Sequence, residues 1–187
     1  MEKRYKRIKT GFSGSAMQKN QLFMIVIVFG LPGSGKSYFA SGLSTLINAA
    51  YINSDQVRKQ MAGKKTYSKN EKLSVYYEML LQMKELMKQK RTLVLDATFY
   101  KNDIRKKFMD EAGLNGGIKF IEVTADESLI RERLKTPRLD SDADFKVYKL
   151  IKEQWEPLYE PHLILLSTNN NIADMLLKAA DYLHVKR

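Results

Sequence analysis

The sequence predicts a three-layer α/β fold, in which helices cover both faces of a parallel β-sheet. Five short apolar runs alternate along the chain with segments of helical periodicity, which is the pattern of βαβ units. Three of the runs are almost continuously hydrophobic, as expected for strands covered on both faces. A glycine-rich loop also separates the first apolar run from the first helical segment.

The five apolar runs are predicted to be the strands of a single sheet. Their bounds are Leu22–Phe29, Ala50–Asn53, Thr92–Asp96, Ile118–Thr124 and His162–Ser167. The predicted helices are Lys36–Ala49, Asp55–Met61, Ser68 to about Lys90, Asn102 to about Ala112, Asp126–Lys135, Asp142–Trp155 and Ile172–Leu183.

Local signals mark several of these helix ends. Ser68 and Glu71 form a capping box at the start of the longest helix. Gly113 lies where the helix from Asn102 is expected to stop, and Pro137 ends the one from Asp126. Apolar side chains of the longest helix recur at helical spacing and are expected to share one stripe: Leu73, Tyr76, Tyr77, Leu80, Met83 and Met87.

The composition excludes several classes of protein. The 187 residues include no cysteine, so disulfide scaffolds, thiolate metal sites and cysteine nucleophiles are excluded. No apolar run approaches the roughly 20 residues that are needed to span a bilayer. The chain has 32 Lys and Arg against 21 Asp and Glu, a formal charge of +11, so its surface is expected to attract phosphate groups.

Residues 1–20 are predicted to form a basic, mobile tail, and residues 21–187 to form one domain. The first 19 residues hold six basic side chains and one acid, together with glycines and serines. A basic start before an apolar run also mimics a signal peptide. The run is short, however, and a glycine-rich loop follows where a small-residue cleavage site is expected. The protein is therefore predicted to be cytoplasmic.

A complete phosphate-binding signature, the P-loop, follows the first strand as Gly30-x-x-x-x-Gly35-Lys36-Ser37. Its glycines let backbone N–H groups point at phosphate oxygens, and the helix beginning near Lys36 adds its positive end. Lys36 is expected to reach the β- and γ-phosphates, and the Ser37 hydroxyl to hold Mg²⁺. The residues predicted to bind the nucleotide are Gly30, Pro32, Gly33, Ser34, Gly35, Lys36, Ser37 and Tyr38.

A dinucleotide-binding loop is the alternative for this segment. Its glycines read in the reverse of the Rossmann order, although Asp55 lies 20 residues after Gly35, where a ribose-binding acid would stand. The Lys36–Ser37 pair decides between the two, because a Rossmann loop has no use for it. The predicted ligand is ATP or GTP with magnesium.

A second carboxylate, Asp96, ends the apolar strand Thr92–Asp96. Ligands of α/β sheets bind at this carboxyl edge, so Asp96 is expected to hold Mg²⁺ or to orient a neighbouring group. The next residue is Ala97, where ATP-driven motors carry a water-activating glutamate, and this favours transfer to an acceptor over hydrolysis. The alternative is that Asp96 caps the following loop.

Asp55 and Arg58 follow the second strand, three residues apart at the start of a helix. Asp55 is a candidate general base for an acceptor hydroxyl, and Arg58 a candidate clamp on the acceptor or the phosphoryl group. The residues alone favour equally a structural role, with Asp55 as the helix N-cap and Arg58 as its surface partner.

Three arginines before the last strand are candidates for a phosphate-neutralising lid. Arg131 and Arg133 lie on the predicted helix from Asp126, and Arg138 follows Pro137 on a loop. A mobile loop that brings guanidinium groups onto a γ-phosphate stabilises its transfer. Arg131 and Arg138 are the preferred candidates and Arg133 is the third, against the alternative of a solvated helix face.

These motifs together resemble the small P-loop kinases related to polynucleotide 5′-kinase and the zeta-toxin group, an AAA-type ATP-binding domain. The resemblance runs from about Ile25 to Pro157. It rests on the P-loop and, in order, on Ser54-Asp55-x-x-Arg58, Leu95-Asp96-Ala97-Thr98-Phe99 and Arg138-x-x-x-Asp142-Ala143.

The resemblance implies a P-loop NTPase fold with strand order 2-3-1-4-5, a small lid, and ATP with Mg²⁺ as cofactors. It implies that Asp55 is the general base, that Arg58 clamps a phosphate, and that Asp96 supports the clamp or the metal. The chain has no phosphatase domain, so nucleic-acid end-healing is not implied. The acceptor stays open among a polynucleotide 5′-hydroxyl, a nucleotide sugar, an antibiotic and another small alcohol.

Other residues leave their roles open. The turn 168–171 is expected either to touch the adenine edge or to be a plain turn with a helix cap. Trp155, Tyr76 and Tyr77 are expected to pack in the core rather than stack on a base. Two other functions remain as alternatives to a kinase: a nucleotide-dependent switch ATPase, and a nucleic-acid-binding module regulated by ATP.

Overall fold

The structure, a computed structural model, describes residues 23–61, 69–113, 117–136 and 143–185. This part of the chain contains five strands and seven helices, and one or two helices follow each strand. The strands are β1 (Ile25–Phe29), β2 (Ala50–Asn53), β3 (Leu93–Asp96), β4 (Ile118–Thr124) and β5 (His162–Leu166). The helices are α1 (Lys36–Leu46), α2 (Ser54–Gln60), α3 (Lys69–Lys88), α4 (Asn102–Ala112), α5 (Glu127–Arg133), α6 (Phe145–Glu153) and α7 (Ile172–Tyr182).

The strands form one sheet in the order β2-β3-β1-β4-β5, and every pair is parallel. Both the predicted fold class and the predicted strand order are therefore confirmed. Every residue of β1 and β3 is buried, which explains their continuous hydrophobic runs. In this register Asp96 stands beside Val28 of β1 and Asn53 of β2, so polar groups meet at the carboxyl edge of the central strands.

Helices cover the sheet on both faces and create two cores. Side chains from α3 and α4 pack with one face of the sheet around Phe29, Met79 and Phe108. Side chains from α1 and α7 pack with the other face around Phe39 and Ala179. The described helices include none long and apolar enough to cross a membrane.

Several predicted bounds differ from the structure. The first helix stops at Leu46 instead of Ala49, because Asn48 adopts a left-handed conformation with φ of 50° and the Ala49 amide donates to the Ser44 carbonyl at 2.8 Å. At the end of α4, Gly113 occupies the C-cap position with φ of 59°, as predicted. The predicted tail 1–20, the cap residue Ser68 and the lid residues 137–142 lie outside the described residues.

The predicted buried stripe of α3 was partly wrong. Leu73 and Tyr77 are 39% and 63% exposed. Tyr76 and Met83 are buried as expected, and Leu80 and Met87 are partly buried against the core. Val75 and Met79, which were not in the predicted stripe, are buried as well. Apolar spacing alone gives the period of a helix, but its phase depends on which side the sheet lies.

Candidate active site

The P-loop connects the buried end of β1 to α1 and has a backbone that only glycine fits at two points. Gly35, the N-cap of α1, has φ of 93°, and a Cβ there would lie 2.8 Å from the Ser167 hydroxyl. A Cβ on Gly30 would lie 2.3 Å from the Val123 carbonyl oxygen. None of the described side chains caps α1 with a hydrogen bond, and its first turn contains no acidic residue. The positive end of α1 is therefore open to an anion.

Two cavities flank the P-loop. The first, which we call the α3–α6 cavity, has a volume of about 310 Å³ and contains Pro32, Lys36 and Ser37 in its lining. The second, the α5–α7 cavity, has a volume of about 450 Å³ and is lined by Gly33, Gly35 and Tyr38. The predicted nucleotide-binding residues thus divide between two openings. Ser34 lies beneath them, almost fully buried, and its hydroxyl has no hydrogen-bond partner among the described residues.

Asp96 is fully buried at the end of β3 and is held by side chains of β2. Its Oδ2 accepts a hydrogen bond from the Tyr51 hydroxyl at 2.7 Å and another from Asn53 Nδ2 at 2.5 Å. Burial, and then the charge of Asp96, raise the pKa of Tyr51, so its hydroxyl keeps the proton that it donates. Neither Tyr51 nor Asn53 was predicted from the sequence to be part of the site. The feature of the sequence that could have indicated them is the pair of alternating polar residues at the end of a short strand.

The other carboxylate oxygen of Asp96 is suited to a magnesium site. Asp96 Oδ1 is buried and has no hydrogen-bond partner among the residues that the structure describes. The Tyr51 hydroxyl lies 3.4 Å from the Ser37 carbonyl oxygen, so Asp96 and Ser37 are joined through Tyr51. The described ranges contain no group of three or more His, Asp or Glu that would hold a metal alone. Mg²⁺ commonly takes one or two protein ligands and completes its shell with phosphates and water, so these residues fit it.

Asp55 lines the α3–α6 cavity from the first turn of α2. The N-cap of α2 is Asn53, whose Oδ1 accepts from the Asp55 and Gln56 amides at 3.0 and 2.9 Å. The structural alternative in which Asp55 itself caps the helix is therefore wrong. The ion pair that the same alternative predicted is present, because the Asp55 carboxylate lies 2.9 Å from Arg58 Nη1. Arg58 Nε also lies 3.2 Å from Glu71 Oε1. Arg58 thus links the cavity face of α2 to α3.

Arg105, which was not predicted from the sequence, holds the loop after β3, whose residues Thr98 and Tyr100 line the α3–α6 cavity. Its fully buried guanidinium donates to the carbonyls of Phe99 and Glu156 at 2.6 Å and of Pro157 at 3.0 Å, and also to the Asn102 side chain. Burial lowers the pKa of Arg105. The residue ties the loop after β3 to the segment after α6. Its sequence signal was an arginine beside the apolar positions of an amphipathic helix.

The three lid candidates have different surroundings. Arg133 Nη1 lies 3.2 Å from both the Ser34 carbonyl oxygen and the Ser167 hydroxyl, and its Nη2 donates to the Thr168 carbonyl at 2.8 Å. The Arg131 guanidinium lies instead over the Phe145 ring, 3.9 Å from its centre, and 3.6 Å from Glu127. Arg131 lines neither cavity. Arg138 lies outside the described residues.

The three aromatic candidates, Trp155, Tyr76 and Tyr77, also differ in their surroundings. Trp155 stacks on Phe29 with ring centres 5.9 Å apart, so it belongs to the core. The Tyr76 ring is also buried, and burial raises the pKa of its hydroxyl to about 12. The hydrogen bond that this hydroxyl accepts from the Phe99 amide at 3.0 Å acts in the opposite direction and lowers the pKa. Tyr77 is exposed. In the turn 168–171, Asn171 Oδ1 accepts from the Thr168 amide at 2.9 Å, and Thr168 lines the α5–α7 cavity.

Solved structures share this architecture. A sugar kinase from Janibacter sp. matches with a TM-score of 0.67 at 12% identity, over 87% of this chain and 95% of that chain. A gluconokinase from Sinorhizobium meliloti matches with a TM-score of 0.60 at 16% identity, over 87% and 97%. The APS kinase of Mycobacterium tuberculosis, in complex with AMPPNP and APS, matches with a TM-score of 0.64 at 16% identity, over 87% and 98%.

No curated protein sequence matches the chain. The structural matches nevertheless confirm that it has the fold of the small P-loop kinases, as the sequence motifs predicted. The sequence model of a family described as an AAA domain matches residues 25–158, which is most of the described chain. The chain therefore belongs to this AAA domain family and has a P-loop kinase fold.

Proposed function

We propose that this protein is a phosphotransferase that moves the γ-phosphate of Mg-ATP to a hydroxyl of an acceptor. The observation that carries the proposal is that Lys36, Ser37 and Asp55 line the same α3–α6 cavity. The lysine of the phosphate-binding motif and a carboxylate then line one cavity, which is the arrangement that transfer to a bound alcohol needs. We further propose that the protein works in the cytoplasm.

The nucleotide would lie across the P-loop from one cavity to the other. Its base would occupy the α5–α7 cavity beside Tyr38 and Thr168, which the P-loop separates from the acceptor. The phosphates would lie against the amides at the start of α1, with Lys36 on the β- and γ-phosphates. Ser37 and Asp96 would hold Mg²⁺, which when bound neutralises charge on the phosphates.

Asp55 would act on the acceptor. The acceptor oxygen attacks the γ-phosphorus, the bond from that phosphorus to the β–γ bridging oxygen breaks, and the hydroxyl proton passes to the Asp55 carboxylate. The products are ADP and a phosphate ester. Arg58, which pairs with Asp55 at 2.9 Å, would orient the carboxylate and clamp the phosphoryl group. Arg131 and Arg138 remain the predicted lid arginines, which would neutralise the negative charge of the phosphoryl group during its transfer.

The fold does not select the acceptor. The three matching structures are named for a sugar, gluconate and APS, which differ from one another in size and charge. Transfer of labelled γ-phosphate from ATP should therefore be measured against a panel of alcohols that includes sugars, nucleotide sugars and 5′-hydroxyl oligonucleotides. A labelled ester that forms only when an acceptor is present supports the proposal.

Asp55→Asn tests the chemistry directly. The variant should lower the rate of transfer by about 10²-fold or more, because a general base is lost, while ATP affinity stays within about twofold. Asp110→Asn, which changes an exposed carboxylate of α4, is the matched control. Equal loss of transfer and of ATP binding would contradict a catalytic Asp55. Phosphate release that ignores every acceptor would favour a nucleotide-dependent switch instead.

A further inference from the structure

The α3–α6 cavity contains a lysine that the proposed reaction does not use. Lys72 lies on α3, is partly buried and lines the cavity together with Asp55 and Arg58. Arg58 pairs with two carboxylates, Asp55 and Glu71, and its proposed role is on the transferred phosphoryl group. Lys72, by contrast, forms no hydrogen bond or ion pair with any residue that the structure describes. A cation partly withdrawn from water in a ligand-sized cavity is suited to an anionic ligand.

Part of the lining of the same cavity, from α3 and α6, is apolar. Val75 of α3 and Ile151 of α6 are almost fully buried and contribute its inner wall. Val147 lies on the same face of α6, and Leu150, which is 49% exposed, forms the outer edge. These four side chains offer no hydrogen bonds. A polyhydroxylated molecule would lose water there without gaining partners, whereas an apolar ring would gain burial.

We infer that the acceptor is an amphiphilic hydroxy compound with an apolar ring and one anionic group, which Lys72 binds. The ring would pack on the wall of Val75, Val147, Leu150 and Ile151, and the reactive hydroxyl would point at Asp55. The inference rests on the proposed function and defines its substrate class. It separates this protein from an enzyme for open-chain polyols, whose acceptor carries hydroxyls along its whole length.

Four probes test this chemistry: 4-(hydroxymethyl)benzoate, 4-(hydroxymethyl)phenyl phosphate, the neutral 4-(hydroxymethyl)benzamide, and gluconate. Their binding to the full chain loaded with magnesium and a non-hydrolysable ATP analogue is measured by saturation-transfer NMR titration. Transfer from ATP is measured in parallel. We expect the two anionic ring compounds to bind more tightly than the amide and than gluconate. The preferred member of that pair identifies the anion as a carboxylate or a phosphate.

Lys72→Met removes the charge and keeps the length of the side chain. It should weaken binding of the anionic ring compounds by about tenfold or more, since a charge-assisted contact is lost, and leave the amide within about twofold. Lys72→Arg should restore most of the difference. Lys88→Met, an exposed lysine of the same helix, should change nothing. Leu150→Ser should weaken all three ring compounds and leave gluconate unaffected.

The outcomes separate this inference from the proposed function. Equal binding of the amide and the anions, an equal effect of Lys72→Met on all probes, tighter binding of gluconate, or no binding of any ring compound overturns the inference. In those cases, phosphate transfer to another alcohol would still support the proposed kinase function. If the probes bind in the expected pattern but no phosphate is transferred to them or to the wider panel, the proposed kinase function is contradicted and Lys72 is still supported as an anion site.

Discussion

Asn53 connects two parts of the candidate site through a single side-chain amide. Its oxygen accepts from the Asp55 and Gln56 amides and so fixes the start of α2, while its nitrogen donates to Asp96 at 2.5 Å. The proposed base and the proposed metal ligand are therefore positioned by the same residue. Both donors to Asp96 reach the same oxygen, Oδ2, which leaves Oδ1 directed away from them. Positioning of this kind tunes a metal ligand without touching the metal.

Tyr51→Phe tests the positioning of Asp96. The variant removes one of the two donors, so we expect about tenfold more Mg²⁺ to be required for half-maximal nucleotide binding, as for other residues that orient a metal ligand. Because the pKa of Tyr51 is raised, its hydroxyl stays protonated at neutral pH, and the ratio between wild type and variant should not change between about pH 6 and 9. Tyr182→Phe is the control. An unchanged magnesium requirement would contradict the role.

At the level of elements, α5 shows why the sequence alone could not tell which of its arginines faces the P-loop. Arg131 and Arg133 are two positions apart, which places them about 200° apart around a helix, so they cannot face the same partner. Which of them meets the P-loop depends on how α5 packs against the loop after β5. That packing follows from the tertiary fold and leaves no local mark in the sequence. The structure puts Arg133 against the P-loop and Arg131 against Phe145.

Arg133→Met and Arg131→Met should therefore differ in nucleotide binding. Arg133 holds the Ser34 carbonyl of the P-loop and the Thr168 carbonyl beside the α5–α7 cavity. Its loss should weaken Mg-ATP binding by about tenfold, since charge-assisted hydrogen bonds that shape the site are removed. Arg131→Met should leave binding within about twofold and affect only the transfer rate. Calorimetric titration of both variants checks this. Equal ATP affinities would show that Arg133 does not shape the nucleotide site.

For the whole molecule, the predictable parts of the fold and site are the local ones. The alternation of elements predicted the layers. The P-loop directly follows the end of one strand and contains a turn and a helix start in eight consecutive residues. The family motifs supplied the strand order, which the structure confirms. The contacts of Asp96 with β2 and the Arg105 brace join elements far apart in the chain. Those contacts exist only once strands and helices are neighbours, so sequence spacing could not reveal them.

Ligand binding to the P-loop should raise the stability of the whole domain. A nucleotide at about 100 times its Kd stabilises the native state by about 2.7 kcal/mol, so saturating Mg-ATP should raise the Tm by roughly 5–10 °C for a domain of this size. Gly35→Ala should abolish that shift. Alanine is strained at the φ of 93° that Gly35 adopts, and its Cβ would lie only 2.8 Å from the Ser167 hydroxyl, so the phosphate-binding backbone would be distorted. Gly42→Ala is the matched control, since its Cβ would meet only Leu176 at 3.5 Å and alanine favours the helix. Scanning calorimetry with and without Mg-ATP separates loss of the shift from lower stability of the free protein. A full shift in Gly35→Ala, or none in the wild type, would contradict nucleotide binding at this loop.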